Sequence, residues 1–188
     1  MAKSGTIFTV GHSTREAAEL VALLKASDIE AVADVRTIPR SRRLPHFNAE
    51  EMRRWLPDNG LVYLPFRELG GLRKAKMDSI NLAWKNESFR GYADYMLTPD
   101  FTAGLERLLQ EARRHRVAIL CAEAVPWRCH RSLIADALLA RGWEVWDILG
   151  ETSIKEHKLT PFAKVEGLRI TYPGEDDLFE SDRDNAGH

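Results

Sequence analysis

Cysteine is scarce in this chain, which has two. Two cysteines cannot build the disulfide framework on which small secreted domains depend. Long apolar runs are missing too. A membrane-crossing helix needs roughly 20 apolar residues, and the longest candidate, Val117 to Val125, is interrupted by Glu123. No signal-peptide pattern opens the chain, because Met1-Ala2-Lys3-Ser4-Gly5 leads directly into a strand-like segment. These absences point to a cytoplasmic protein with reduced thiols. The formal net charge is −1, so no global charge draws the chain to nucleic acid or to a membrane. There is no Walker loop, no Gly-x-Gly-x-x-Gly and no Cys-x-x-Cys. The common nucleotide-cofactor and dithiol redox motifs are thereby excluded, and no cofactor is expected.

What is present is the composition of one soluble domain: 188 residues, 44% hydrophobic and 29% charged. The charge is unevenly spread. Residues 174–188 carry six acids and one arginine, with two large apolar side chains. That stretch reads as an acidic disordered tail, because it cannot bury enough surface to offset its ordering entropy. Residues 1–173 form the domain and are mildly basic. Arg36, Arg40, Arg42 and Arg43 lie within eight residues.

Short β-rich runs alternate with helical periodicity. Strands are predicted at Ile7–Val10, Ala31–Val35, Leu61–Phe66, Val117–Leu120 and Val145–Leu149, with a sixth at an edge over Leu168–Tyr172. Between them lie helices opened by Ser13-x-x-Glu16, Asn48 and Thr98-Pro99. Another helix runs over Phe89 to Met96, and one over Arg131 to Arg141 is closed by Gly142. This alternation predicts a single three-layer α/β domain with a mostly parallel, Rossmann-like sheet of five or six strands. The expected strand order is 3-2-1-4-5, with strand 1 beside strand 4. Residues 68–88 fit no element and read as a long ordered loop, the kind of segment that tends to be functional.

In such sheets the ligand lies beyond the carboxyl ends of the strands, where strand order reverses. Those ends carry the reactive residues of this chain, and the opposite edge carries ordinary turns. Strand 1 is followed by His12 and Ser13, strand 2 by Asp34-Val35-Arg36, and strand 3 by Arg67 and Gly70-Gly71. Strand 4 is followed by Cys121-Ala122-Glu123 and then Arg128-Cys129-His130-Arg131-Ser132. The last motif opens a helix, where amide groups and the macrodipole favour an anion. Ser13, Arg36, Arg67, Arg128, Arg131 and Ser132 are therefore candidate phosphate ligands. Glu123, His12 and His130 are candidate proton carriers, and Asp34 either pairs with Arg36 or assists Glu123. Cys129, beside Arg128 and Arg131, is expected to have a depressed pKa and is the optional nucleophile. Cys121 reads as packing at the strand end. Zinc held by Cys121, Cys129, His130 and His12 is disfavoured by the seven residues between the cysteines and by the nearby arginines. Trp84 and Trp127 lie in loops where base stacking is conceivable.

The same positions carry a resemblance. Gly11-His12-Ser13, Asp34-Val35-Arg36, Leu69-Gly70-Gly71, Tyr92-Ala93-Asp94-Tyr95-Met96, Cys121-Ala122-Glu123 and Cys129-His130-Arg131-Ser132 occur in that order. Over about residues 5–173 the chain resembles the family catalogued as domain of unknown function 488. The resemblance implies one α/β domain and marks these positions as the family's shared site. It implies no activity. The residues themselves suggest an enzyme acting on a phosphate-bearing substrate, a nucleotide or nucleic acid. The alternative is a non-catalytic nucleic-acid-binding or regulatory module using the same basic face.

Overall fold

Five of the six strands predicted from the β-rich runs assemble into one sheet. The computed structural model describes residues 4–175, so all but the first two residues of the acidic tail lie outside the described residues. The sheet has six strands in the order β3-β2-β4-β1-β5-β6. These are β1 (Thr6–Gly11), β2 (Ala31–Asp34), β3 (Val62–Pro65), β4 (Val117–Cys121), β5 (Glu144–Gly150) and β6 (Ser153–Glu156). The first five run parallel and β6 is antiparallel to β5. Every residue of β2 and β4 is buried, which is why β4 reads as an unbroken apolar run and β2 as one that ends at Asp34.

Two layers of helix cover the sheet. Helices α1 (Ala17–Ala26) and α2 (Ala49–Asp58) pack through Leu20, Leu24, Met52 and Leu56 onto one face. Helices α3 (Glu87–Tyr95), α4 (Pro99–Ala112) and α5 (Arg131–Leu139) cover the other through Tyr92, Leu105, Leu108, Leu133 and Ile134. Burial of these side chains, at about 25 cal/mol per Å² of apolar surface, is the main force holding the three layers together. No helix among the described residues is long and apolar enough to cross a membrane.

The predicted strand order needs correction. β4 lies between β1 and β2, so β1 and β2 are not neighbours. The length of a crossover does not distinguish an adjacent strand from the next but one. The fully buried Val117–Cys121 segment takes a place with strands on both sides and helices on both faces. The reversal point nevertheless stays between β1 and β4. The chain leaves β1 toward β2 by one face and leaves β4 toward β5 by the other.

Two further expectations change. Segment Arg169–Thr171 is not in the main sheet. It forms β8, paired antiparallel with β7 (Lys164–Glu166) in a separate hairpin, and β6 takes the sheet edge. Helix α1 is capped by Glu16 and Glu19, whose side chains bond each other's backbone, and not by Ser13. Ser13 is held in the left-handed region (φ 51°) by the turn out of β1. Thr98 caps α4 as predicted, accepting from the Phe101 amide, and Gly142 ends the α5 turn at φ 78°.

Candidate functional site

The loops after β1 and β4 lie on the same sheet edge and continue the strand pairing. The His12 amide donates to the Cys121 carbonyl (2.9 Å) and the Ser13 amide to the Ala122 carbonyl (3.0 Å). Gly11 is what lets them touch, since a Cβ there would overlap the Glu123 carbonyl. Beyond this edge lie two clefts. One, of about 410 Å³, is lined by Cys121, Cys129, His130, Arg128, Glu123 and Arg36, with Ile38, Leu72 and Phe89 as its apolar walls. The other, of about 480 Å³, contains His12, Ser13 and Arg40 and shares Arg36, Ile38 and Glu123 with the first. Together they form one groove across the ends of β1, β2 and β4.

Several predicted residues support this groove from below. Asp34 is buried and saturated. It accepts from the Arg36 amide, from Arg36 Nε (2.8 Å) and Nη2 (2.7 Å), and from the Tyr63 hydroxyl (2.8 Å). Burial and the Asp34 carboxylate keep the Tyr63 phenol protonated. Arg36 sends its remaining nitrogen to His12 Nε2 (3.3 Å), while His12 Nδ1 bonds the Ser13 carbonyl (2.8 Å). His12 is stacked on Phe47, and burial, with Arg36 adding to it, lowers its pKa. The neutral ring donates from Nδ1 and accepts at Nε2, so both nitrogens are engaged within the protein. Arg131 is fully buried. It binds the carbonyls of Glu123 (2.6 Å) and Ala124 (3.0 Å), locking the loop between β4 and α5.

The anion clamp expected at the start of α5 is not open. The Ser132 amide donates to the Cys129 carbonyl (3.0 Å), and the Leu133 and Ile134 amides donate to the His130 carbonyl (3.0 and 3.2 Å). The Ser132 hydroxyl also donates to the Cys129 carbonyl (2.9 Å). Arg67 is exposed in the turn after β3 and does not line the groove. Arg128 is exposed on the rim, and its side chain makes no hydrogen bond or ion pair among the described residues. Glu123 is exposed beside it, its carboxylate accepting only from the Ala124 amide (3.1 Å).

The floor of the first cleft is the reactive corner. Cys121, Cys129 and His130 place both sulfurs and one ring nitrogen within 4.8 Å of one another. The Cys129 sulfur is 3.6 Å from His130 Nδ1, and His130 Nε2 donates to the Val35 carbonyl (3.0 Å). That bond puts the ring proton on Nε2 and turns the Nδ1 lone pair toward the thiols. The expected thiol order is reversed. Cys121 is shifted well below an ordinary thiol, first because the Cys129 thiol donates to it. Burial opposes the shift, while His130 and the Glu123 amide reinforce it. Cys129 is raised, because it gives its proton to Cys121 and is buried, and Arg131 offsets this only in part.

Residues 68–88 form an ordered loop that completes the groove, and the Tyr92-Ala93-Asp94-Tyr95 motif is its fastening. Tyr92 and Tyr95 hydroxyls donate to the carbonyls of Leu69 (2.8 Å) and Glu68 (2.6 Å). Asp94 accepts from the Lys76 amide, the Ser79 hydroxyl and the Asn81 amide group. Gly71 is thereby pressed onto His130, where a Cβ would overlap Nδ1. Sequence reasoning missed the apolar walls, and it favoured packing over a place in the cleft for Cys121. The signal for the walls was Gly70-Gly71 followed by Leu72, which is 71% exposed in the folded chain. Trp84 is packed among Phe89, Phe162 and Tyr172, while Trp127 is 64% exposed.

Compared with known proteins, the chain matches one family model, domain of unknown function DUF488, over residues 16–138. No curated protein and no solved structure matches it.

Proposed function

The chain belongs to the DUF488 family, and we propose that it is an enzyme acting on a phosphate-bearing ligand of nucleotide size. The ligand lies across the carboxyl-edge groove with its reacting group over the Cys121–Cys129–His130 corner. One observation carries this reading. A cleft of about 410 Å³ has two buried thiols and an oriented imidazole on its floor, and the unpaired Arg128 guanidinium on its rim. Buried reactive groups in a concave apolar pocket are the usual mark of an active site. Ile38 and Leu72, 67% and 71% exposed, offer a ring or other apolar portion two flanking faces. Arg128 supplies the cation for the phosphate, and Glu123 a carboxylate that takes or returns a proton.

The test is calorimetric titration of nucleoside monophosphates and diphosphates. Arg128→Ala weakens binding by about tenfold or more, and Arg67→Ala, outside the groove, leaves it unchanged. Glu123→Gln abolishes turnover and keeps binding. Equal affinity in wild type and Arg128→Ala overturns the reading. A second reading rests on Arg40, Arg42 and Arg43, which are exposed and unpaired beside the adjoining cleft. In that reading the groove binds nucleic acid without catalysis, and only the arginine variants have an effect.

A further inference from the structure

We propose that Cys121, Cys129 and His130 bind a zinc ion, with its fourth position open to the groove. Two thiolates and an imidazole are the donors this borderline-soft cation prefers. Around a tetrahedral zinc, such donor atoms stand about 3.5–3.8 Å apart. Here all three lie within 4.8 Å of one another, and the Cys129 sulfur and His130 Nδ1 are already 3.6 Å apart. Small side-chain adjustments bring them to bonding positions.

The surroundings fit a metal as well. The Val35 carbonyl fixes the His130 ring with Nδ1 as the free donor, the carbonyl-to-histidine arrangement typical of zinc ligands. Both sulfurs and the His130 ring line the floor of the cleft, which opens to the groove. A divalent ion with two thiolates is neutral overall, so it adds no net charge beside the buried Arg131. That guanidinium is committed to the carbonyls of Glu123 and Ala124. The corner is also rigid, with Tyr92 packed on the His130 ring (4.9 Å between centroids) and Gly71 against Nδ1.

Both objections raised from sequence lose force. The seven residues between the cysteines form a loop that Arg131 folds back onto the strand end, so linear spacing does not measure the site. His12 is not a fourth ligand, because Ser13 and Arg36 occupy its nitrogens. Three protein donors facing a cleft are the pattern of a catalytic zinc, whereas structural sites close with four. In the groove, a ligand oxygen or a water takes the open position. That catalytic role rests on the function proposed above, but the metal binding does not.

The experiment is elemental analysis of the full chain after exposure to zinc and dialysis, with a parallel sample loaded with cobalt(II). The expected content is about one metal per chain. The cobalt form should show thiolate charge-transfer absorption in the near ultraviolet and the visible bands of a tetrahedral centre. Cys121→Ser, Cys129→Ser and His130→Ala each lower affinity by more than about 100-fold, and His12→Ala leaves occupancy unchanged. Should the variants misfold, the cobalt spectrum of the wild-type chain still decides. A chain that takes up no stoichiometric metal, shows no thiolate-to-cobalt band, or carries a Cys121–Cys129 disulfide under reducing purification overturns the proposal. Zinc bound without nucleotide affinity overturns the functional reading and leaves the metal site standing.

Discussion

At the scale of single residues, the groove depends on glycines as much as on reactive groups. Gly11 and Gly71 both occupy places where a Cβ would collide, but with different neighbours. At Gly11 the collision is with the backbone of Glu123 and Ala124, and at Gly71 it is with the His130 ring. Backbone cannot yield as a side chain can. Gly11→Ala should therefore lower the stability by about 3 kcal/mol or more and Gly71→Ala by about 1–2 kcal/mol, read from urea unfolding. Equal costs would show that His130 is held as rigidly as the main chain. The motifs Gly11-His12-Ser13 and Leu69-Gly70-Gly71 were visible in the sequence. Their reason was not, because a glycine's neighbour across a loop has no local signature.

At the scale of elements, two buried polar networks tie irregular chain to the core. Asp94 holds the 68–88 loop by three hydrogen bonds. Asp94→Ala leaves those donors unpaired, which costs about 2–4 kcal/mol. The loop should then be cleaved by trypsin near Lys74 and Lys76 well before the rest of the domain. Uniform digestion would show that Tyr92 and Tyr95 suffice. The second network centres on His157, whose ring bonds Asp147 (3.0 Å) and Asp136 (3.3 Å). Tyr172 and the Thr160 amide also bond Asp136, strapping the segment after β6 onto α5. Burial alone would lower the His157 pKa, but the two carboxylates outweigh it and raise it from 6.5 to about 9. The folded state holds this proton more tightly than the unfolded chain. Its stabilising effect is complete below pH 6.5 and is lost as pH rises through about 9. Thermal midpoints of the wild-type chain should fall over that window, and those of His157→Gln should fall much less. Parallel curves would mean that the ring is neutral in the folded protein.

At the scale of the whole molecule, a chain of net charge −1 presents a groove lined by the exposed Arg40 and Arg128, with Arg42 and Arg43 close to Arg40 along the chain. If an oligonucleotide occupies the groove, its affinity should fall steeply with salt, because each phosphate contact releases counterions. Replacing Arg40, Arg42 and Arg43 with alanine should reduce the slope of log K against log salt by up to about 3. An unchanged slope in a fluorescence titration would make the cluster an ordinary solvated loop and favour a small ligand at Arg128. The acidic residues 174–188, beyond Glu175, fall outside the described structure and enter no part of this expectation.

The α/β class, the elements through β5 and the crowding of reactive residues on one sheet edge were determined by the sequence alone. Apolar runs, helical periodicity and caps are local, and together with the parallel-sheet rule they suffice to place these residues at the carboxyl edge. The place of β4 between β1 and β2 was decided only in three dimensions, because strand pairing is a contact between distant segments. So was the sorting of the arginines. Arg36, Arg128 and Arg131 are alike in sequence, yet Asp34 neutralises the first, solvent surrounds the second and two carbonyls bury the third. Cys121 shows the same limit. Its neighbours along the chain mark it as strand-end packing, and only the folded chain brings its sulfur together with Cys129 and His130 at the floor of the groove.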